Sequence, residues 1–311
     1  MTSENGADFP HGLASFLAFQ DAEACSRVRK IKRSEIAQHE NKDFHISTIA
    51  APGDFYEAMA RDLVERIRAS RDEGRQLVLI LPCGPVPNYR IAAAMINGEK
   101  LSMQHVHTYN MDEYANEDGA TAPGSWPGSF QYTMRREFFG PLDPELRPLD
   151  QHVHFPSSAN ISGYSDEIAA EGGADVCYGG IGWSGHIAFW EPHLAREFEG
   201  DWDAWCNAGA RLVELHPMTV MQNALHSFGG DWSWVPPQAV TIGPRDIVGA
   251  HMRSFWLDGD LSGGVSWQRF IARLVAHGPV TPFVPGSVLQ TLRTDFTILG
   301  NVADDVEIHM G

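Results

Sequence analysis

The residues of this 311-residue chain best suited to moving protons are His186 and Glu191, five positions apart in the run Gly-Gly-Ile-Gly-Trp-Ser-Gly-His-Ile-Ala-Phe-Trp-Glu-Pro at 179–192. An imidazole held by a carboxylate works near neutral pH, which is what opening a sugar ring or enolising a carbonyl requires. Gly182 and Gly185 supply the turn, Ser184 stands two residues before the histidine, and Trp183 and Trp190 flank it. The plain structural alternatives are a hydrogen-bonded core histidine and a carboxylate that merely starts a helix beside Pro192. A second constellation is Asp112 and Glu113 in the run Tyr-Asn-Met-Asp-Glu-Tyr at 109–114. Adjacent acids at a strand end point in different directions, so one faces a pocket while the other pairs or caps.

These groups need a scaffold, and the pattern of apolar residues supplies one. Residues 76–82 form a continuous apolar run, the mark of a strand covered on both faces in a parallel sheet. Further strands are predicted at 45–49, 105–109, 152–155, 174–178, 239–242, 254–257 and 296–299. Between them lie helical patterns: a stripe of Met59, Leu63 and Ile67, then 88–95, 130–139, 165–171 and 265–277, with a short one around 16–19. Such alternation predicts an α/β, three-layer Rossmann-like sandwich with a mostly parallel sheet. The strand–turn–helix joint at 83–87, Cys-Gly-Pro-Val-Pro, has the place of an anion cradle but poor equipment. Pro85 and Pro87 lack an N–H and Val86 lacks a hydroxyl.

Composition narrows the partners. A formal charge of −17 repels nucleic-acid phosphates and anionic lipid. The chain shows no bilayer-length apolar run and no signal-peptide pattern, so a cytoplasmic protein is expected. Cys25, Cys83, Cys177 and Cys206 are widely spaced and read as free thiols. The basic cluster at 27–33 is followed by Glu35 and Glu40 and reads as a solvated helix face or subunit contact. His105 and His107 share a strand face and His152 and His154 repeat the pattern, yet no carboxylate completes a ligand set, so no metal is expected. Tryptophan-rich segments at 197–208 and 228–235 suit buried packing, or a lid stacking on a sugar.

With these pieces placed, the sequence resembles the glucosamine-6-phosphate deaminase (isomerase) family, which shares its fold with the 6-phosphogluconolactonases. The resemblance runs from about His45 to Ile308 and rests on the stretches 81–87, 109–114, 180–192 and 235–243 and the closing helix and strand. The Met-Asp-Glu-Tyr run and His-Ile-Ala-Phe-Trp-Glu-Pro favour the deaminase branch, since lactonases usually carry Asp-Glu-Arg at the former. A single domain over 43–311 behind an extension at 1–42 follows. The resemblance puts the proton shuttle between sugar carbons 1 and 2 on Asp112, ring opening on His186 and its support on Glu191. An acyclic aldose has an acidic C2 proton, and a nearby carboxylate removes it. No organic cofactor is implied, and a homo-oligomer acting on a small sugar or amino sugar is expected.

The departures from the family pattern are equally specific. Ser184 replaces an aspartate, and Trp183 and Trp190 replace asparagines. The loop Gly84-Pro-Val-Pro87 replaces Gly-Gly-Thr-Pro, Val220 stands near an expected arginine, and Ser262, beside Asp258 and Asp260, stands near an expected lysine. Substrate contacts are therefore expected from Cys83, Gly84, Pro85, Val86, Glu113, Gly182, Trp183, Gly185 and Trp190, with Ser184 in the catalytic group. The missing cations point to a sugar without a 6-phosphate. Alternatives from other classes are a non-catalytic sugar sensor and a sugar lactone hydrolase.

Overall fold

A computed structural model of the protein describes residues 9, 11–259 and 266–308. Ten strands are defined among them: β1 (Phe44–Ile49), β2 (Leu77–Leu81), β3 (Val106–Asn110), β4 (Asp112–Ala115), β5 (Val153–His154), β6 (Val176–Gly179), β7 (Arg211–Glu214), β8 (Gln238–Thr241), β9 (Met252–Leu257) and β10 (Thr294–Leu299). The helices are α1 (Ala22–Arg29), α2 (Pro52–Asp72), α3 (Pro87–Glu99), α4 (Phe130–Met134), α5 (Ile161–Ala170), α6 (Trp202–Cys206), α7 (Pro217–Ser227), α8 (Pro244–Gly249) and α9 (Arg269–His277).

Seven strands form one parallel sheet in the order β1-β10-β9-β6-β2-β3-β5. All five residues of β2 and all six of β9 are buried; β2 is an unbroken apolar run, whereas β9 includes Arg253, whose guanidinium donates to the carbonyls of Arg293, Ile247, Val248 and His251. Helix α2 lays Phe55, Met59, Leu63 and Ile67 against the sheet, each at most 2 % exposed. Burial of one such side chain stabilises the fold by about 1.5–3 kcal/mol.

The remaining strands depart from the expected layout. Residues 238–241 do form a strand, but it belongs to a separate antiparallel sheet of order β4-β8-β7. Neither β4 nor β7 is evident from periodicity: β4 is buried along its whole length and β7 is only four residues long. The chain leaves the large sheet at Asn110 and enters the small one at Asp112, with only Met111 between.

At the N-terminus, residues 16–19 form no helix, and the first helix begins at Ala22, where the Asp21 carboxylate accepts the Ala24 N–H at 2.8 Å. The basic cluster that follows is not simply solvated. Lys32 pairs with Asp305 at 2.9 Å and Arg33 with Asp304, fastening the N-terminal segment to the end of the chain. Helix 130–139 changes at Arg135 from α to π geometry, and α9 is defined from Arg269, the expected start at Val265 lying outside the described residues.

Candidate active site

Three segments carrying the expected site residues, two loops and strand β4, follow the carboxyl ends of β6, β2 and β3, which are neighbours in the parallel sheet. That end of an open α/β sheet is where ligand crevices form. After β6 the chain turns at 182–186, held by the Gly182 N–H to the His186 carbonyl at 3.1 Å and the Gly185 N–H to the Gly182 carbonyl at 2.9 Å. Gly185 has φ of +90°, a conformation that side-chain-bearing residues adopt rarely. Gly182 is required for a different reason: a Cβ there would lie 2.1 Å from His186 Cε1 and Nε2.

The His186 ring is buried, and its Nδ1 faces three oxygens: Ser184 Oγ at 2.9 Å, Thr219 Oγ1 at 3.0 Å and Glu191 Oε2 at 3.3 Å. The Ser184 hydroxyl also donates to Glu191 Oε2 at 2.9 Å, and the His216 N–H donates to Oε1 at 3.2 Å. Glu191 is completely buried. Burial alone pushes its carboxyl up, but His186 and the surrounding donors outweigh it and hold the group below the ordinary glutamate range. A charged carboxylate therefore stands behind the imidazole.

Asp112 opens β4 with a different environment. Burial, with a smaller contribution from the Glu113 charge, pushes its carboxyl up to about 8. Among the described residues no group donates a hydrogen bond to it, so desolvation is unopposed. Asp112 is linked to the His186 loop through β8. Asp112 lies opposite Thr241 across the β4–β8 ladder, Thr241 Oγ1 accepts the Phe189 N–H at 3.0 Å, and the Phe189 ring is 5.9 Å from the His186 ring and 5.8 Å from Tyr114.

Glu113, expected among the substrate contacts, turns the other way. It accepts from the Ser129 hydroxyl at 2.7 Å and from the N–H groups of Tyr114, Phe130 and Gln131 at 2.9, 3.0 and 2.8 Å. It caps the start of α4, where unsatisfied N–H groups and the helix dipole favour an anion. Glu113→Ala is therefore expected to lower stability by at least about 2 kcal/mol. Urea denaturation checks this, and an unchanged midpoint would remove the capping role.

Trp190 is a second correction. It is completely buried, with Arg211 stacked 4.7 Å from its ring centroid and Phe198 6.2 Å away, so it fills the core behind the loop. Trp183 stays partly exposed, its N–H on Gln222 Oε1 at 2.7 Å and its ring 6.3 Å from Trp267. Cys83 is half-buried just past the end of β2, and burial together with the Asp112 and Glu113 charges pushes its thiol up. All four cysteines are unbridged. Gly84 is exposed, Pro85 buried, and Val86 precedes α3 at its N-cap without a side-chain hydrogen bond.

The position near the expected lysine, Ser262, lies outside the described residues, as does Asp260; Asp258 accepts a hydrogen bond from Tyr56 at 3.0 Å. Val220, near the expected arginine, packs partly buried against the core. The histidine pairs do meet, His107 stacking on His152 at 3.7 Å and His154 on Tyr109 at 4.2 Å. Among the described residues no three His, Cys, Asp or Glu side chains converge to hold a metal.

Sequence reasoning passed over Thr219 and Asn223. Thr219 is completely buried against His186, and Asn223 donates to the Tyr114 hydroxyl at 2.7 Å. Their signal was available in the spacing of α7, where polar residues at 219, 222, 223 and 226 fall on one helical face.

A parallel sheet with these three segments at its carboxyl edge defines an α/β protein of the fold that sugar-phosphate deaminases and lactonases share. The likeness to a solved monomeric glucosamine-6-phosphate deaminase has a TM-score of 0.69 at 22% identity, covering 83% of this chain and 98% of that one. A 6-phosphogluconolactonase from Thermotoga maritima matches at a TM-score of 0.55 and 15% identity, over 82% and 99% of the two chains. No family model matches the sequence. Among curated proteins, the glucosamine-6-phosphate deaminase of Caenorhabditis elegans is 32% identical over 200 residues, 62% of this chain and 68% of the relative. Glucosamine-6-phosphate deaminase 2 of Bacillus subtilis is 32% identical over 234 residues, 73% and 82% of the two. The chain belongs to the glucosamine-6-phosphate deaminase family. Among the described residues no helix is long and apolar enough to cross a membrane.

Proposed function

We propose that this protein moves a proton between C1 and C2 of a sugar or amino sugar that lacks a 6-phosphate, as a deaminase or aldose–ketose isomerase. Asp112 takes the C2 proton and returns it at C1, while His186, backed by Glu191, opens the ring. With an amino group at C2, reprotonation at C1 leaves an imine whose hydrolysis consumes water and releases ammonia; with a hydroxyl, the same transfer yields the ketose. The observation that carries this reading is a buried carboxyl with no donor among the described residues, raised to about 8, on a strand linked through Thr241 and Phe189 to a carboxylate-backed imidazole. Such a carboxyl exchanges its proton near neutral pH, which suits one group acting as base and then acid.

The absence of the phosphate is supported by the sequence at the anion positions. The chain has four lysines, at 30, 32, 42 and 100, and none beyond. Val220 and the Pro85–Pro87 loop offer neither cation nor hydroxyl. Loss of two charged contacts removes about 3–6 kcal/mol of phosphate binding. Glucosamine and glucosamine 6-phosphate are therefore expected to differ less than tenfold in kcat/KM, with ammonia release as the readout. A thousandfold preference for the phosphate ester would overturn the assignment, and saturable sugar binding with no turnover would favour a sensor. Self-association and a cytoplasmic location are proposed as well, for light scattering and cell fractionation to decide; the solved deaminase of TM-score 0.69 is described as monomeric.

A further inference from the structure

Helix α7 presents four polar side chains at the spacing i, i+3, i+4, i+7, and each engages a different part of the site. Thr219 Oγ1 is 3.0 Å from His186 Nδ1, and Gln222 Oε1 accepts the Trp183 N–H at 2.7 Å. Asn223 Nδ2 donates to the Tyr114 hydroxyl at 2.7 Å, and His226 Nε2 accepts the Trp267 indole N–H at 2.6 Å. Residues so spaced share one face of a helix. The opposite face carries Met221 and Leu225, 41% and 50% exposed. One rigid element thus touches both the loop bearing His186 and the strand that begins with Asp112.

The protons around His186 Nδ1 can be assigned by elimination. Glu191 is ionised and accepts only, and the Ser184 hydroxyl already donates to it. The Thr219 hydroxyl, 3.0 Å from Nδ1, also helps to hold the Glu191 carboxyl below the ordinary glutamate range. Were Nδ1 unprotonated, its lone pair would face that carboxylate at 3.3 Å. Nδ1 therefore carries the hydrogen and donates into the ring of oxygens, leaving Nε2 as the nitrogen with a free lone pair.

We infer that Thr219 is a positioning residue: with Ser184 it relays the Nδ1–H of His186 to Glu191 through hydroxyl groups, fixing the tautomer and the ring orientation from α7. No second carboxylate is then needed beside the imidazole, since two hydroxyls each hand one hydrogen to Glu191 while accepting from Nδ1. The effect on turnover rests on the proton-transfer chemistry proposed above, whereas the state of the imidazole is a property of the unliganded protein. The two are therefore tested separately.

Thr219→Val keeps the shape and removes the hydroxyl, and Thr219→Ser restores it. In the unliganded full-length protein, the downfield imidazole N–H resonance of His186 is expected to disappear or shift in Thr219→Val and to persist in Thr219→Ser. In turnover, Thr219→Val is expected to lower kcat at least tenfold and to change its pH profile, with KM held within twofold. Thr219→Ser should recover to within threefold of the parent, and Leu225→Ala, on the outer face of the same helix, should match the parent. Should Thr219→Val fail to fold, Thr219→Ala is read in its place. An unchanged resonance in the hydroxyl-free variant, or a kcat loss that serine does not rescue, overturns the role of Thr219. If no sugar is turned over by any form, the function proposed above fails while the resonance still decides the relay.

Discussion

Asp112→Asn is expected to abolish turnover and, at the same time, to raise the melting temperature at neutral pH. The first effect follows from removing the only proposed base; C2 hydrogen exchange should fall about a thousandfold, within the 10²–10⁴ that a positioned acid or base contributes. The second follows from the cost of burying a carboxyl without donors. The folded-state value is raised from 3.8 to about 8, so between those values the unfolded chain releases a proton that the folded chain retains. Stability from this group is complete below pH 3.8, is lost as pH rises, and reaches its minimum above about 8.

The full gap corresponds to a ceiling of about 5–6 kcal/mol. Water entering the pocket reduces this, and an amide still occupies the site, so a gain of about 2 kcal/mol, or several degrees, is the expected result at pH 7.5. Melting curves at several pH values are diagnostic. The difference between variant and parent should widen from pH 4 to about 8 and then level off. In the parent, kcat/KM on the acid side should climb with pH toward the same value, because only the carboxylate can take the proton. An asparagine variant that exchanges C2 hydrogen normally, or is no more stable at pH 8 than its parent, would sink the assignment.

Gly182→Ala is the second large effect. The added methyl would stand 2.1 Å from His186 Nε2 and Cε1, well inside van der Waals contact. The ring has little freedom to retreat, being buried and held at Nδ1 by three oxygens on its far side. It must turn or slide, and a displacement of about 1 Å at a reacting group can reduce rate about a hundredfold. A kcat reduced by about two orders of magnitude is therefore predicted with a cooperative, near-normal unfolding transition. Gly180→Ala is the control in the same loop, since its nearest neighbour would be the Trp256 carbonyl at 3.4 Å. Equal activity in the two alanine variants would mean that the His186 ring position has no bearing on the chemistry.

Much of this site was legible from residue types alone. The split fate of Asp112 and Glu113 follows from two adjacent acids leaving a strand, although which one capped α4 depended on Ser129 and its following amides, sixteen and more residues away. The central strands announced themselves because burial on both faces leaves no polar alternation to obscure the run. Other features were hidden for physical reasons. Trp190 looks like a pocket residue because it adjoins the glycine turn, yet its contacts are with Arg211 and Phe198, which no local pattern connects to it. Strands β4 and β7 are short and meet only through β8, a pairing set by tertiary packing. The stripe on α7 was visible as spacing, but its meaning required knowing what lay opposite.

The crossing at Met111, where the chain passes from the seven-stranded sheet to the three-stranded one, has an evolutionary consequence. Asp112 is borne by the lesser layer, and the scaffold that keeps the polypeptide folded is borne by the greater. Lineages can therefore retune the turns around Asp112 without altering the pairing of the larger sheet. Directed diversification confined to the turns that join β4, β7 and β8 should accordingly return a high proportion of folded clones with altered chemistry.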